Sequence, residues 1–87
     1  MIDASKVTFT KHAMEKFKLL KHYGFEINKE QVIEAILNPE GVDKKEGQLF
    51  ATKTVDLKHA IRVVYEIRKG FLVIITFYPV RRERYDL

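Results

Sequence analysis

Along this chain the hydrophobic positions first recur at helical spacing and then, past Pro39, at a period of two. Ala13, Phe17 and Leu20 follow one another at intervals of four and three, with Met14 widening the stripe. That spacing predicts an amphipathic helix over residues 11–23. Thr10 precedes it as an N-cap, and Gly24 follows where a left-handed C-terminal cap belongs. A helical wheel sets His12, Lys16 and Tyr23 along one edge of the stripe, with Lys11, Glu15, Lys18 and His22 on the solvated side. In a second helix Asn28 and Gln31 form a capping box and Ile27 with Val32 a hydrophobic staple. Val32, Ile33, Ile36 and Leu37 supply its buried face. Asn38-Pro39 stops it, because proline disfavours helical geometry in the residue before it.

After Pro39 the pattern reads as strands. Residues 41–46 form a polar edge strand, and Glu46-Gly47 is a turn. Residues 48–55 alternate loosely around Leu49, Phe50 and Ala51, and residues 56–59 are a polar connection. Residues 61–68 alternate cleanly, with Ile61, Val63, Tyr65 and Ile67 on one face and Arg62, Val64, Glu66 and Arg68 on the other. Lys69-Gly70 turns the chain into residues 71–78, which are apolar on both faces as in a central strand; Pro79 ends or bends that strand. A two-residue turn buries Leu72, Ile74, Thr76 and Tyr78. A three-residue loop ending in a left-handed Gly70 buries Phe71, Val73, Ile75 and Phe77. The second register is expected, since Lys-Gly is a poor type I′ pair and the more apolar set is then inside. Arg62, Glu66, Arg68, Thr76 and Tyr78 then line an open, mostly basic face. The fold expected is α+β: an N-terminal helical hairpin packed on one face of a C-terminal four-stranded antiparallel sheet, in the order α-α-β-β-β-β.

Composition narrows the class. Eighty-seven residues, 46% of them hydrophobic and 32% charged, fit one folded domain. The absence of cysteine excludes disulfides, thiolate metal sites and a cysteine nucleophile, and favours a reducing compartment. The first six residues lack the basic-then-apolar layout of a secretory leader. The longest apolar run, residues 71–78, is too short to span a bilayer. A cytoplasmic protein without membrane contact is therefore expected. The glycines are scattered and open no phosphate-binding loop, and the three histidines have no metal-ligand spacing, so no cofactor or metal is implied. A net charge of +4 points to an acidic partner, either nucleic acid or an acidic protein.

Two groups of residues have chemistry to offer. His12 and Lys16, four apart on one helix face, suit a general base beside a cation, or else a ring that merely packs or caps at a helix start. Tyr78, Arg81, Arg82, Arg84 and Tyr85 form the densest cationic and aromatic cluster. Guanidinium groups bind phosphate bidentately and tyrosine stacks on bases; the other reading is a solvated tail, with Glu83 and Asp86 offsetting part of the charge. His22 and His59 read as ordinary surface residues.

The strings Thr8-Phe9-Thr10-Lys11-His12-Ala13-x-x-Lys16-Phe17, Ile27-x-x-x-x-Val32-x-x-Ala35-Ile36-x-Asn38-Pro39, Arg62-Val63-Val64-Tyr65 and Val73-Ile74-Ile75-Thr76-Phe77-Tyr78-Pro79 occur in that order. Together they resemble a family of small prokaryotic domains of unknown function related to the RelE- and BrnT-like toxins. The resemblance covers residues 8–79. It implies a helical hairpin followed by an antiparallel sheet, and a metal-independent endoribonuclease neutralised by a cognate antitoxin protein. By position it implies His12, Lys16 and Tyr78 as catalytic residues, with Arg62 on RNA. The basic face and tail add Arg68, Arg81, Arg82, Arg84 and Tyr85 as RNA-binding residues. Lys16 stands where the family has arginine, replacing a planar fork by a point charge, and Phe25 stands where isoleucine is usual. Two other classes compete: a non-catalytic module binding nucleic acid or an acidic protein, and an interaction protein whose exposed sheet edge pairs with a partner or with a second copy as a homodimer.

Overall fold

The computed structural model describes residues 4–87; residues 1–3, part of the stretch read for a leader, lie outside them. After a 3-10 turn at Ala4–Lys6 come β1 (Val7–Phe9), α1 (Lys11–His22), α2 (Lys29–Leu37), β2 (Gly41–Lys45), β3 (Gln48–Thr54), β4 (His59–Arg68) and β5 (Phe71–Arg81). A second 3-10 turn, Arg82–Tyr85, follows. The strands make one mixed sheet in the order β1-β5-β4-β3-β2. The α+β class and the order of two helices followed by β2 to β5 are as expected. The four-stranded, wholly antiparallel sheet is not: β1 adds a fifth strand, running parallel to β5 with Val7, Thr8 and Phe9 opposite Leu72, Val73 and Ile74. Three residues are too few for an alternating pattern to register, and a parallel partner this distant in sequence leaves no local turn signal.

Both helices begin as their caps dictate. The Ala13 amide donates to Thr10 Oγ1 at 3.1 Å, and Asn28 and Gln31 exchange side-chain and backbone bonds at 2.8 and 3.0 Å. Each helix thereby satisfies amides left unpaired in its first turn. Gly24, at φ +89°, turns the chain after α1. Thr10 also fixes α1 to the sheet, since its amide and hydroxyl donate to the carbonyls of Ile74 and Ile75. The helices cover one face. Ala13, Leu20, Val32, Ala35 and Ile36 pack there with Ala51, Ile61, Val63, Leu72, Ile74 and Phe77. The rings of Phe9, Phe17 and Phe77 form a chain with centroid separations of 5.8 and 4.7 Å.

The last hairpin overturns the expected register. Arg68 pairs with Phe71 and Ile67 with Leu72, so the loop is Lys69-Gly70 alone. Lys69 and Gly70 lie at φ +48° and +83°, the pair of positive values that a type I′ turn requires. The twist of that turn matches the strands, which outweighs the cost of placing a lysine in the left-handed region, about 1 kcal/mol. Leu72 and Ile74 are therefore buried on the helix face, not Phe71, Val73 and Ile75. A bulge then shifts the phase: Tyr65 faces Ile74 but Val64 faces Thr76, and Ile75 is the extra residue. Past it Phe77 returns to the core, while Thr76 and Tyr78 stand beside Val64 and Arg62 on the other face, as anticipated. β5 neither ends nor breaks at Pro79, which lies opposite Ile61. Beyond Ile75 no described strand pairs with β5 on its β1 side, the edge position at which a missing amide proton is tolerated.

Candidate nucleic-acid interface

The sheet face away from the helices is less open and less cationic than alternation implies. Arg62 sits at its centre with 12% of its side chain exposed. Its Nη1 donates to Thr52 Oγ1 at 2.9 Å and its Nη2 to Asp43 Oδ2 at 2.8 Å. Its guanidinium lies 5.1 Å from the Phe50 ring centroid and 4.9 Å from that of Tyr85. Burial alone would push the Arg62 pKa down, but the Asp43 hydrogen bond and nearby charge more than offset it. Tyr85 reaches this position because the chain folds back after β5. The Arg82 amide donates to the Lys58 carbonyl and its Nη1 to the Leu57 carbonyl, docking the last turn on the β3–β4 connection. The buried Arg82 Nε has no acceptor among the described residues. Arg68 is likewise engaged: its Nε donates to Glu66 at 2.8 Å. That bond, with one from Gln48, holds the Glu66 carboxyl below its usual pKa.

Of the arginines, the two least engaged stand at and just beyond the C-terminal end of β5. Arg81 lies opposite His59 in the β4–β5 ladder and makes only a loose 3.9 Å pair with Glu83, both exposed. Exposed pairs of that kind hold a side chain weakly. Arg84 forms no ion pair among the described residues. Arg81, Arg84 and Tyr85 line a cleft of about 310 Å³ together with Phe25, His59 and Pro79. Within it His59 Nδ1 lies 3.1 Å from Asp56 Oδ1, and the ring meets Phe25 edge-on at 5.2 Å. Asp56 Oδ1 also accepts from the amides of Lys58 and His59, which hold its pKa below the usual carboxylate range.

The residues singled out in the sequence thus divide into three places. Tyr78, Arg62 and Tyr85 come together on the sheet face; Arg81, Arg84 and Tyr85 come together at the cleft, with Arg82 anchoring the turn between them. Arg68 is at the far end of β4, some nine residues and ~30 Å along the strand from His59. His12 and Lys16 are on α1, exposed and half-buried respectively, and their side chains make no hydrogen bond or ion pair among the described residues. Because Phe77 touches Phe17 of α1, the neighbouring Tyr78 faces away from that helix. The sheet therefore stands between Tyr78 and the His12–Lys16 pair. His59, set aside in the sequence, is the histidine at the arginine cleft; the signal for it was Asp56-x-x-His59, an aspartate placed to close a tight turn onto the ring.

Among the described residues no group of three or more histidine or carboxylate side chains gathers where it would hold a metal ion, and no helix is long and apolar enough to cross a membrane. No family model, curated protein or solved structure matches the chain.

Proposed function

We propose that this chain is an RNA-directed domain of the toxin type, which binds RNA through its C-terminal arginines and cleaves it without a metal by attack of the 2′-hydroxyl. The observation that carries the reading is the convergence of Arg81 and Arg84, neither held by a close carboxylate, with Tyr85 at one cleft. Two guanidinium forks beside an exposed aromatic ring suit a phosphodiester and the base next to it. The ordered resemblance to the RelE- and BrnT-like toxins supports the same class and implies an antitoxin protein as the natural neutralising partner. Purified protein is expected to bind single-stranded RNA with an affinity that falls steeply with salt, and to cleave it in EDTA. Absence of binding at low salt would sink the reading.

The second reading is a module that binds RNA without cutting it. Two observations favour it: Arg62 is committed to Asp43 and Thr52, and His12 and Lys16 lie across the sheet from Tyr78. RNA bound at low salt but left whole in both EDTA and magnesium would select it.

A further inference from the structure

Resting on the RNA-cleaving reading, we infer that the cleft bounded by His59, Arg81, Arg84 and Tyr85 is a phosphodiester site in which His59 is the catalytic base and Asp56 its positioning residue. Asp56 Oδ1, an ionised acceptor, lies 3.1 Å from His59 Nδ1 and fixes the ring proton there. The neutral ring then keeps Nε2 bare as an acceptor, the tautomer that proton abstraction requires. The Phe25 ring, edge-on at 5.2 Å, restrains the imidazole from the helix connection. Asp56, from the β3–β4 connection, bonds the ring; Arg81 stands opposite His59 in the ladder, and Arg84 with Tyr85, from the last turn, completes the lining of the cleft. His59 keeps 30% of its side chain exposed, so a ligand reaches it without rearrangement of the core.

In the step proposed, Nε2 takes the proton of a ribose 2′-hydroxyl as O2′ bonds to phosphorus. The P–O5′ bond breaks with its electron pair on the 5′ oxygen, which takes a proton from water. The hydroxide so formed is neutralised by the imidazolium. The products are a 2′,3′-cyclic phosphate and a 5′-hydroxyl, with no net change in protons. Arg81 and Arg84 hold the non-bridging oxygens, whose charge grows as the fifth bond forms.

The test combines imidazole NMR with RNA cleavage. Nitrogen shifts at alkaline pH are expected to show the His59 proton on Nδ1, and Asp56→Asn to abolish that preference. Uridine 3′-monophosphate is expected to move the His59 signals while those of His12 and His22 stay. His59→Ala should lower RNA cleavage by about 100-fold or more with RNA affinity kept within about threefold, whereas His22→Ala, at an exposed surface position, should cleave as wild type does. Asp56→Asn should lower kcat with KM little changed, and Asp56→Glu should recover part of it. If the nucleotide moves His12 and not His59, or if His59→Ala cleaves at the wild-type rate, the site is wrong and the RNA reading stands. If wild type binds RNA but leaves it whole, the catalytic role falls. If wild type does not bind RNA, both fall together.

Discussion

Arg62 and Arg84 are both arginines near Tyr85, yet one is locked and the other is not. Arg62 has an aspartate, a buried threonine hydroxyl and two aromatic rings around it, and little of it meets solvent. Arg84 is exposed, makes no ion pair among the described residues, and shares a cleft with Arg81 and His59. Their environments differ because Arg62 stands mid-strand with neighbours on both sides, while Arg84 follows the last strand. A guanidinium whose donors are already taken contributes to the fold; one whose fork faces solvent is available to a phosphate. Charge counting along the sequence treats the two alike, and the geometry separates them.

That separation is open to breakage. The largest effect is expected at the locked residue. Arg62→Ala strips Thr52 Oγ1 of its donor at a residue 3% exposed and removes both ring contacts. It should cost about 2–4 kcal/mol in a urea unfolding curve, a large part of what a domain of this size has. A loss under about 0.5 kcal/mol would erase the distinction. Next, Arg81→Ala with Arg84→Ala should leave stability within about 0.5 kcal/mol and weaken RNA binding at least about tenfold. Tyr85→Ala touches both sides of the comparison: about 1 kcal/mol of stability from the lost cation–π contact, and weaker RNA binding as well.

The smallest effect concerns pH. The carboxyl pKa values of Glu66, beside Arg68, and of Glu40, which accepts from the Thr54 amide and hydroxyl, are both held below the ordinary value. A folded-state pKa lower than the unfolded one gives stability that is present in full above about pH 5 and is lost as pH falls through the folded value. Stability should therefore decline below about pH 4, and Glu66→Gln should flatten that decline slightly. A steeper acid decline in Glu66→Gln would contradict the assignment.

How much of this was legible in the sequence follows from the range of each interaction. Thr10, Asn28, Gln31 and Pro39 act within four residues, and both helices lie where those residues put them. The polar edge strand β2 was equally plain, each of its residues being exposed. β1 was not, because three residues carry no period and their partner is β5. The bulge at Ile75 was hidden for another reason: Phe71 to Tyr78 is apolar on both faces, so a change of phase leaves no mark in the pattern. At the site, alternation correctly put Arg62 and Tyr78 on one face. It gave no hint that Asp43, two strands away, would take up the charge, or that the last turn would carry Tyr85 back over it. His59 was in view throughout, but its significance depends on Asp56 folding onto its ring and on Arg81 arriving opposite from β5.

Whether Arg81 and Arg84 hold RNA is decided by the salt dependence of RNA affinity, compared between wild type and the Arg81→Ala, Arg84→Ala double variant. Each phosphate neutralised on a single strand adds about 0.7 to the slope of log affinity against log salt. If these arginines are the contact, the double variant should lose up to about 1.4 from the slope while Arg62→Lys, still charged, keeps the wild-type value. An unchanged slope and affinity in the double variant would place RNA elsewhere on the molecule.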